Sequence, residues 1–358
     1  MTIVKYFKET EFRKDKPLIS VVIPCYNYGK YLNDSVESVI NQKKFSNFEI
    51  IIVNDGSNDN TSEIAINLIN KYNEIDIKLF ETENQGVSAT RNFGLSKSRG
   101  EWLLSLDADD MFKENFFDSC FEIVNKNKEI NLIFSNLEGL GGPPNWGWKP
   151  TEYSFENLAF QNTFPYSSLH KRDLFEKTDG YNSDIPWGAE DWEYWIRCAK
   201  EGLKPERLKD SFFIYRVNHS NDNLSLTMSK NYDYVIAILR TLHPDVYDIR
   251  DLTISHNIIE NMNEDTLNQL LKKIKSPYKH SNIYFWLGLY FLKKEDFELS
   301  LDYLNKSAQN VSEYDWQPFI KLAELYKKIG DFKKSNEFFK ENKIRKEKSL
   351  EQKKSLPW

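Results

Sequence analysis

Leu18 to Pro24 (LISVVIP) is an unbroken apolar, β-branched run too short for a typical helix, and Glu49 to Val53 (EIIIV) repeats its character. Both end abruptly in polar residues, as suits strands covered on both faces. Between them, Lys30 to Gln42 places Leu32, Val36, Val39 and Ile40 at helical spacing. Thr61 to Lys71 predicts a second helix, Ile77 to Phe80 a short strand, Gly86 to Ser98 a helix and Trp102 to Leu106 a strand. Such alternation implies an α/β fold, a mostly parallel sheet with helices on both faces. In open sheets of this kind ligands bind outside the carboxyl ends of the strands. The polar strand exits, Cys25-Tyr-Asn, Asn54-Asp-Gly-Ser and Asp107-Ala-Asp-Asp, are therefore expected to converge on one pocket.

Gly139 to Pro150 (GLGGPPNWGWKP) reads as a loop without regular structure, either a connection or a mobile wall of the site. From about residue 230 only helical patterns follow, which predicts an α/β domain over 1–229 and a small all-helical domain over 230–358. Gly288, Asp296, Phe297, Ser300 and Leu304 correspond to Ala323, Asp331, Phe332, Ser335 and Phe339, each pair 35 residues apart. That spacing is close to the ~34-residue period of tetratricopeptide repeats and predicts two helical hairpins, with Val235 to Ile274 a divergent third unit; the alternative is an ordinary helical appendage whose internal similarity is accidental. Stacked hairpins would offer a groove or a surface for a protein partner or a homodimer.

With 28% charged residues and a formal net charge of -6, the chain has no global positive field for a polyanion, so no nucleic-acid partner is expected. Cys25, Cys120 and Cys198 are widely spaced, without zinc-site spacing, and read as buried free thiols. Charge interrupts the N-terminal segment too often for a secretory signal, and no stretch approaches the ~20 apolar residues of a membrane span. The expectation is a cytoplasmic protein, with any membrane contact peripheral and on the inner face. Lysine-rich Lys340 to Trp358 is either a solvated, frayed end or a segment that touches an anionic membrane carrying a lipid-linked acceptor.

In extended backbone directly after a strand, Asp107 and Asp109 point to one side, where their charges repel unless a cation or a salt bridge offsets them. A hard divalent ion, Mn²⁺ or Mg²⁺, is the natural occupant beside a diphosphate. The same chain carries, in fixed order, Leu18-Ile-Ser-Val-Val-Ile-Pro-Cys-Tyr-Asn27, Val53-Asn-Asp-Gly-Ser57, Asn84-Gln-Gly-Val-Ser-Ala-Thr-Arg-Asn-Phe-Gly94, Asp107-Ala-Asp109 and Glu190-Asp191. As a set over about residues 17 to 225, these resemble glycosyltransferase family 2, inverting enzymes with a nucleotide-sugar-binding domain of the A type.

The resemblance implies that Pro24, Tyr26 and Asn27 line the nucleotide pocket, that Asp55 binds the base, and that Gly56 gives the turn its room. Arg91 would lie near the nucleotide or sugar, or form a structural ion pair; Tyr26 could instead pack in the core. Asp107 and Asp109 match the ribose and metal contacts, Asp109 being the direct metal ligand. Asp191 matches the base that takes the acceptor's hydroxyl proton, with Glu190 its acidic neighbour, and an ordinary carboxylate pKa near ~4 would leave it ionised at neutral pH. In Tyr215-Arg-Val-Asn-His219 the histidine that would complete the metal shell is displaced by one position from the family pattern.

No dinucleotide fingerprint, phosphate loop or His-Glu-x-x-His zinc motif is present, which disfavours nicotinamide enzymes and nucleotide hydrolases. The implied activity is transfer of a sugar, from a UDP-sugar donor, to a hydroxyl of a glycan or glycolipid, as in surface-polysaccharide assembly. A protein acceptor recruited by the helical repeats is the alternative, and a non-catalytic binding module a third.

Overall fold

The computed structural model describes residues 5–7, 16–42, 45–143, 145–217, 224–273 and 281–356. The chain divides into two compact units, one built from Met1–Ser183 and Glu190–Ser220, the other from Asp184–Ala189 and Asn221–Pro357.

The first unit runs β1 (Lys5–Phe7), β2 (Ile19–Cys25), α1 (Gly29–Ile40), β3 (Phe48–Asp55), α2 (Thr61–Lys71), β4 (Asp76–Thr82), α3 (Val87–Lys97) and β5 (Trp102–Ser105). It continues with β6 (Met111–Phe112), α4 (Phe116–Lys126), β7 (Leu132–Leu140), β8 (Gly147–Trp148), α5 (Phe155–Phe160), β9 (Leu169–Lys171), α6 (Arg172–Thr178), α7 (Glu190–Lys200) and β10 (Pro205–Arg216). These strands form one mixed sheet in the order β1-β4-β3-β2-β5-β9-β7-β10-β6, with β8 paired to β7. β4, β3, β2 and β5 are parallel neighbours. β9 then runs antiparallel to both β5 and β7, and β10 is parallel to β7. The carboxyl ends of β2, β3, β4, β5, β7 and β10 therefore share one edge of the sheet.

Every residue of β2 and β3 is buried, which explains their mostly apolar character. Val21, Ile23, Ile50 and Ile52 join Leu32 and Val36 of α1 and Ala65 and Leu68 of α2 in one core cluster. The opposite face receives α3, and it does so at Gly94. A Cβ there would come within 2.3 Å of a Val22 methyl and 3.1 Å of a Val53 methyl, so the helix sits too close for any side chain. Gly94→Ala should lower stability by about 1–3 kcal/mol through overpacking, despite a better helix propensity, and a denaturant titration would read this as a lower midpoint at unchanged slope.

Gly139 to Pro150 is not wholly irregular, contrary to the sequence expectation. β7 extends to Leu140 and pairs with β8, Leu137 opposite Trp148. The Gly139 amide donates to the Trp146 carbonyl at 2.9 Å, and a Cβ at Gly139 would meet the Trp146 indole at 2.2 Å, so glycine permits the hairpin here.

The second unit contains α8 (Leu224–Lys230), α9 (Tyr232–Leu242), α10 (Ile249–Glu260), α11 (Glu264–Lys273), α12 (Ser281–Lys293), α13 (Phe297–Ala308), α14 (Gln317–Lys328) and α15 (Phe332–Lys354). The 35-residue correspondence is physical. Asp296 and Asp331 cap α13 and α15, each side chain accepting the backbone N–H three residues on. Ser300 Oγ donates to the Gly288 carbonyl at 2.9 Å, and Ser335 Oγ to the Ala323 carbonyl at 2.8 Å, so one hydrogen bond fastens each hairpin at the same place. Gln317 joins α14 to α9 and α10, donating to the Thr241 carbonyl and meeting His256 Nε2. The lysine-rich end, expected to fray or to touch a membrane, is helical to Lys354, tied back by Lys348 to Glu313 and by Arg345 over the Phe319 ring. No helix among the described residues is long and apolar enough to cross a membrane. All three cysteines are buried free thiols.

Candidate functional site

The exits of β2 and β3 are knitted together by their own short side chains. Asn27 adopts the left-handed region (φ 58°), its N–H donating to Ser57 Oγ and its Oδ1 accepting from Asn58 N–H. Ser57 N–H in turn donates to Asn54 Oδ1, and Asp59 accepts from Gly29 N–H. Pro24 is buried within β2, while Tyr26 next to it is 44% exposed, so its ring does not pack in the core.

Asp55 ends β3 almost fully buried, and its carboxylate accepts Gln85 N–H (2.9 Å), Gly86 N–H (3.0 Å) and the Thr82 hydroxyl (3.2 Å). It thus holds the turn that leads into α3. Burial outweighs these donors and raises its proton affinity. Gly56 at φ 73° passes under that turn; a Cβ would lie 2.9 Å from Asn84 N.

Arg91, on the first turns of α3, is 2% exposed and joins the two acidic segments. Its Nη2 donates to both oxygens of Asp107 at 2.8 and 3.1 Å, and its Nη1 to Glu190 Oε1 at 2.6 Å. Its guanidinium carbon lies 4.7 Å from the Tyr166 ring centre and 5.4 Å from that of Tyr181. The Asp107 and Glu190 charges keep it ionised despite complete burial. Arg91 is a buried ion pair, then, and not a group open to a ligand.

Asp107 keeps one side open, with 30% of its side chain exposed. Asp110 turns inward, accepting from the Tyr166 hydroxyl at 2.5 Å and from Arg216 N–H at 2.8 Å. Asp109 is different: among the described residues no other side chain makes a hydrogen bond or ion pair with its carboxylate. Burial first, and the Asp107 charge second, push its pKa up to about 7. The charges of Arg216 and Lys30 offset this only in part, and a hard divalent ion would relieve such crowding. Among the described residues no three His, Cys, Asp or Glu side chains gather as a complete ligand set. His219, the other proposed ligand, lies outside the described residues.

Gly188 (φ 90°) and Ala189 (φ 66°) turn the chain sharply into α7, so that Glu190 and Asp191 occupy its first turn. Asp191 Oδ1 accepts Trp192 N–H at 2.7 Å and Oδ2 accepts Asn162 Nδ2 at 3.1 Å. Its pKa is not ordinary, as the sequence suggested, but raised to about 7, by burial first and by the neighbouring Glu190 second.

Asn162, Tyr166 and Tyr181, which belong to no motif that marks them as functional, complete the site together with the guanidinium of Arg216 from the Tyr215-Arg-Val-Asn-His219 segment. Arg216 Nε donates to the Asp109 carbonyl and Nη2 to Asp34, which fixes the turn bearing Asp109.

Residues 20–183 match the sequence profile of the family described as Glycosyl transferase family 2. An uncharacterized glycosyltransferase of Methanocaldococcus jannaschii is 29% identical over 232 residues, covering 62% of this chain and 78% of the relative. GlyG, a glycosyltransferase of Streptococcus pneumoniae, is 38% identical over 120 residues, 33% of this chain and 38% of GlyG. Chondroitin synthase of Pasteurella multocida is 28% identical over 229 residues, 62% of this chain and 23% of that enzyme. The match thus spans less than half the length of these last two relatives. In structure, S. aureus TarS residues 1–349 in complex with UDP-GlcNAc aligns with a TM-score of 0.52 over 91% of each chain at 16% identity, a likeness of fold.

Proposed function

We propose, from the match of residues 20–183 of this chain to glycosyl transferase family 2, that the protein is an inverting, divalent-cation-dependent enzyme. It moves a sugar from a UDP donor to a hydroxyl of a glycan or glycolipid. One observation carries this reading. Arg91 is spent on Asp107 and Glu190, which leaves Asp109 and Asp191 as site carboxylates without a cationic side chain in contact among the described residues.

In this reading Pro24, Tyr26, Asn27 and Gly56 line the nucleotide pocket, Asp55 accepts the N3–H of uracil, and the open side of Asp107 meets the ribose. Asp109 would hold Mn²⁺ or Mg²⁺ together with Asp107, and His219, which lies outside the described residues, is the third ligand of this reading. When bound, such an ion supplies Lewis-acid neutralisation of the diphosphate. Asp191 takes the acceptor's hydroxyl proton as that oxygen attacks the anomeric carbon; the new glycosidic bond forms while the bond to the diphosphate breaks, its electron pair leaving with UDP. Because Asp191 titrates near 7, the transfer rate should climb with pH through an inflection there. A rate that stays flat from about two pH units below to two above would contradict it.

A panel of UDP-, GDP-, CMP- and dTDP-sugars, assayed for nucleotide release with Mn²⁺, tests the reading. Release is expected from a UDP-sugar and is lost with EDTA or in Asp109→Ala; release indifferent to both, or from other nucleotides alone, would overturn it. The names of relatives such as chondroitin synthase support a glycan acceptor. The repeated hairpins support a second reading, a tetratricopeptide-like platform for a protein acceptor or a second copy. Labelled sugar in protein bands and not in glycan or lipid extracts would decide for the protein acceptor.

A further inference from the structure

We infer that Asn162 is the positioning residue of Asp191: its amide fixes the orientation of that carboxylate and stabilises its charged form. The inference rests on the reading of Asp191 as the base. Asn162 lies in the segment between α5 and β9, which follows no motif. Its Oδ1 accepts Phe164 N–H at 3.2 Å, so the amide is not free to turn over and its Nδ2 donors must face Asp191. The segment itself is firmly held. Phe164 is fully buried, edge-on to Phe134 with ring centres 4.9 Å apart and to Trp195 at 6.1 Å. Trp192 of α7 donates its indole N–H to the Leu158 carbonyl of α5 at 2.6 Å, so the helix bearing Asp191 and the segment bearing Asn162 are fastened together.

The ionisable groups facing Asp191 are Glu190 on α7, Arg91 on α3 and Tyr181 after α6. Glu190 repels its charge, and Arg91 donates its hydrogen bonds to Asp107 and Glu190 instead. The side chain that donates to Asp191 is therefore a neutral amide. This arrangement suits a base: two neutral donors orient the carboxylate, while the attraction of Arg91, whose hydrogen bonds go to other acids, is outweighed by burial and by Glu190. A lysine or arginine at 162 would make Asp191 a weaker base.

Carboxyl-carbon NMR of the full chain labelled at aspartate, in EDTA, reads the Asp191 titration without any substrate, with Asp191→Asn assigning the signal. The wild type should titrate near 7. Asn162→Ala should move that midpoint up by about one pH unit, as expected for losing a hydrogen bond to a charged group. Asn162→Asp keeps an acceptor for Phe164 N–H, and so keeps the loop, but adds a charge; its midpoint shift should be larger. Unmoved midpoints in both variants would overturn the inference. This outcome is separable from failure of the base itself, which would appear as retained transfer in Asp191→Asn.

Discussion

Asp191→Asn is expected to reduce sugar transfer by ~10²–10⁴-fold, the share general-base catalysis usually contributes, while leaving UDP binding intact. Asparagine keeps the shape and can still accept Trp192 N–H, but it cannot take a proton from the acceptor hydroxyl. The same substitution should raise stability at and above neutral pH. The Asp191 pKa is about 7 in the folded protein against an ordinary 3.8, so the folded state holds this proton more tightly than the unfolded chain does. Its relative contribution to folding is greatest below 3.8 and is lost as pH climbs towards 7. An uncharged residue escapes that loss. Kinetics and thermal melts of one variant at pH 8 would read both effects, and a variant that is both active and less stable would contradict both arguments.

Arg91→Met should be the most damaging substitution for the fold. Methionine fills similar space between Tyr166 and Tyr181, yet it leaves Asp107 and Glu190 without their shared counter-charge. Breaking a buried pair in this way costs about 3–5 kcal/mol, and with Asp107 partly exposed the lower end applies. That is a large share of a typical folding free energy of about 5–15 kcal/mol. Lysine should not rescue it, because one ammonium cannot reproduce the fork that reaches both oxygens of Asp107 and Glu190 at once. Urea unfolding would show the loss as a lower midpoint; an unchanged midpoint would mean that the ion cluster contributes nothing net.

The parallel half of the sheet was legible because its strands are buried on both faces and hence apolar at most positions, as in Val21–Ile23 and Ile50–Val53, with amphipathic helices between them. β9, the antiparallel strand between β5 and β7, was not. Three residues, Leu169–Lys171, carry no periodicity, and their role follows from partners far along the chain. The site divides in the same way. Asp107, Asp109, Glu190, Asp191 and Arg91 stand in recognisable motifs, although nothing in those motifs says that Arg91 binds two of the acids. Asn162 and Tyr166 were silent because they act through single hydrogen bonds to Asp191 and Asp110, 29 and 56 residues away, from a segment whose pattern is dominated by core packing. The raised pKa of Asp191 was equally hidden, since its first cause is burial, which only the folded chain supplies, although Glu190, the second, stands next to it in sequence.

The central claim is a donor site in which Asp109 holds a cation against the diphosphate of UDP. Calorimetric titration of UDP into the full chain, with Mn²⁺ and then with EDTA, alongside Asp109→Ala, tests it most directly. Binding that needs Mn²⁺ and disappears in Asp109→Ala is the predicted result. UDP binding equally strong with EDTA and in the variant, or no binding under any of these conditions, would contradict it.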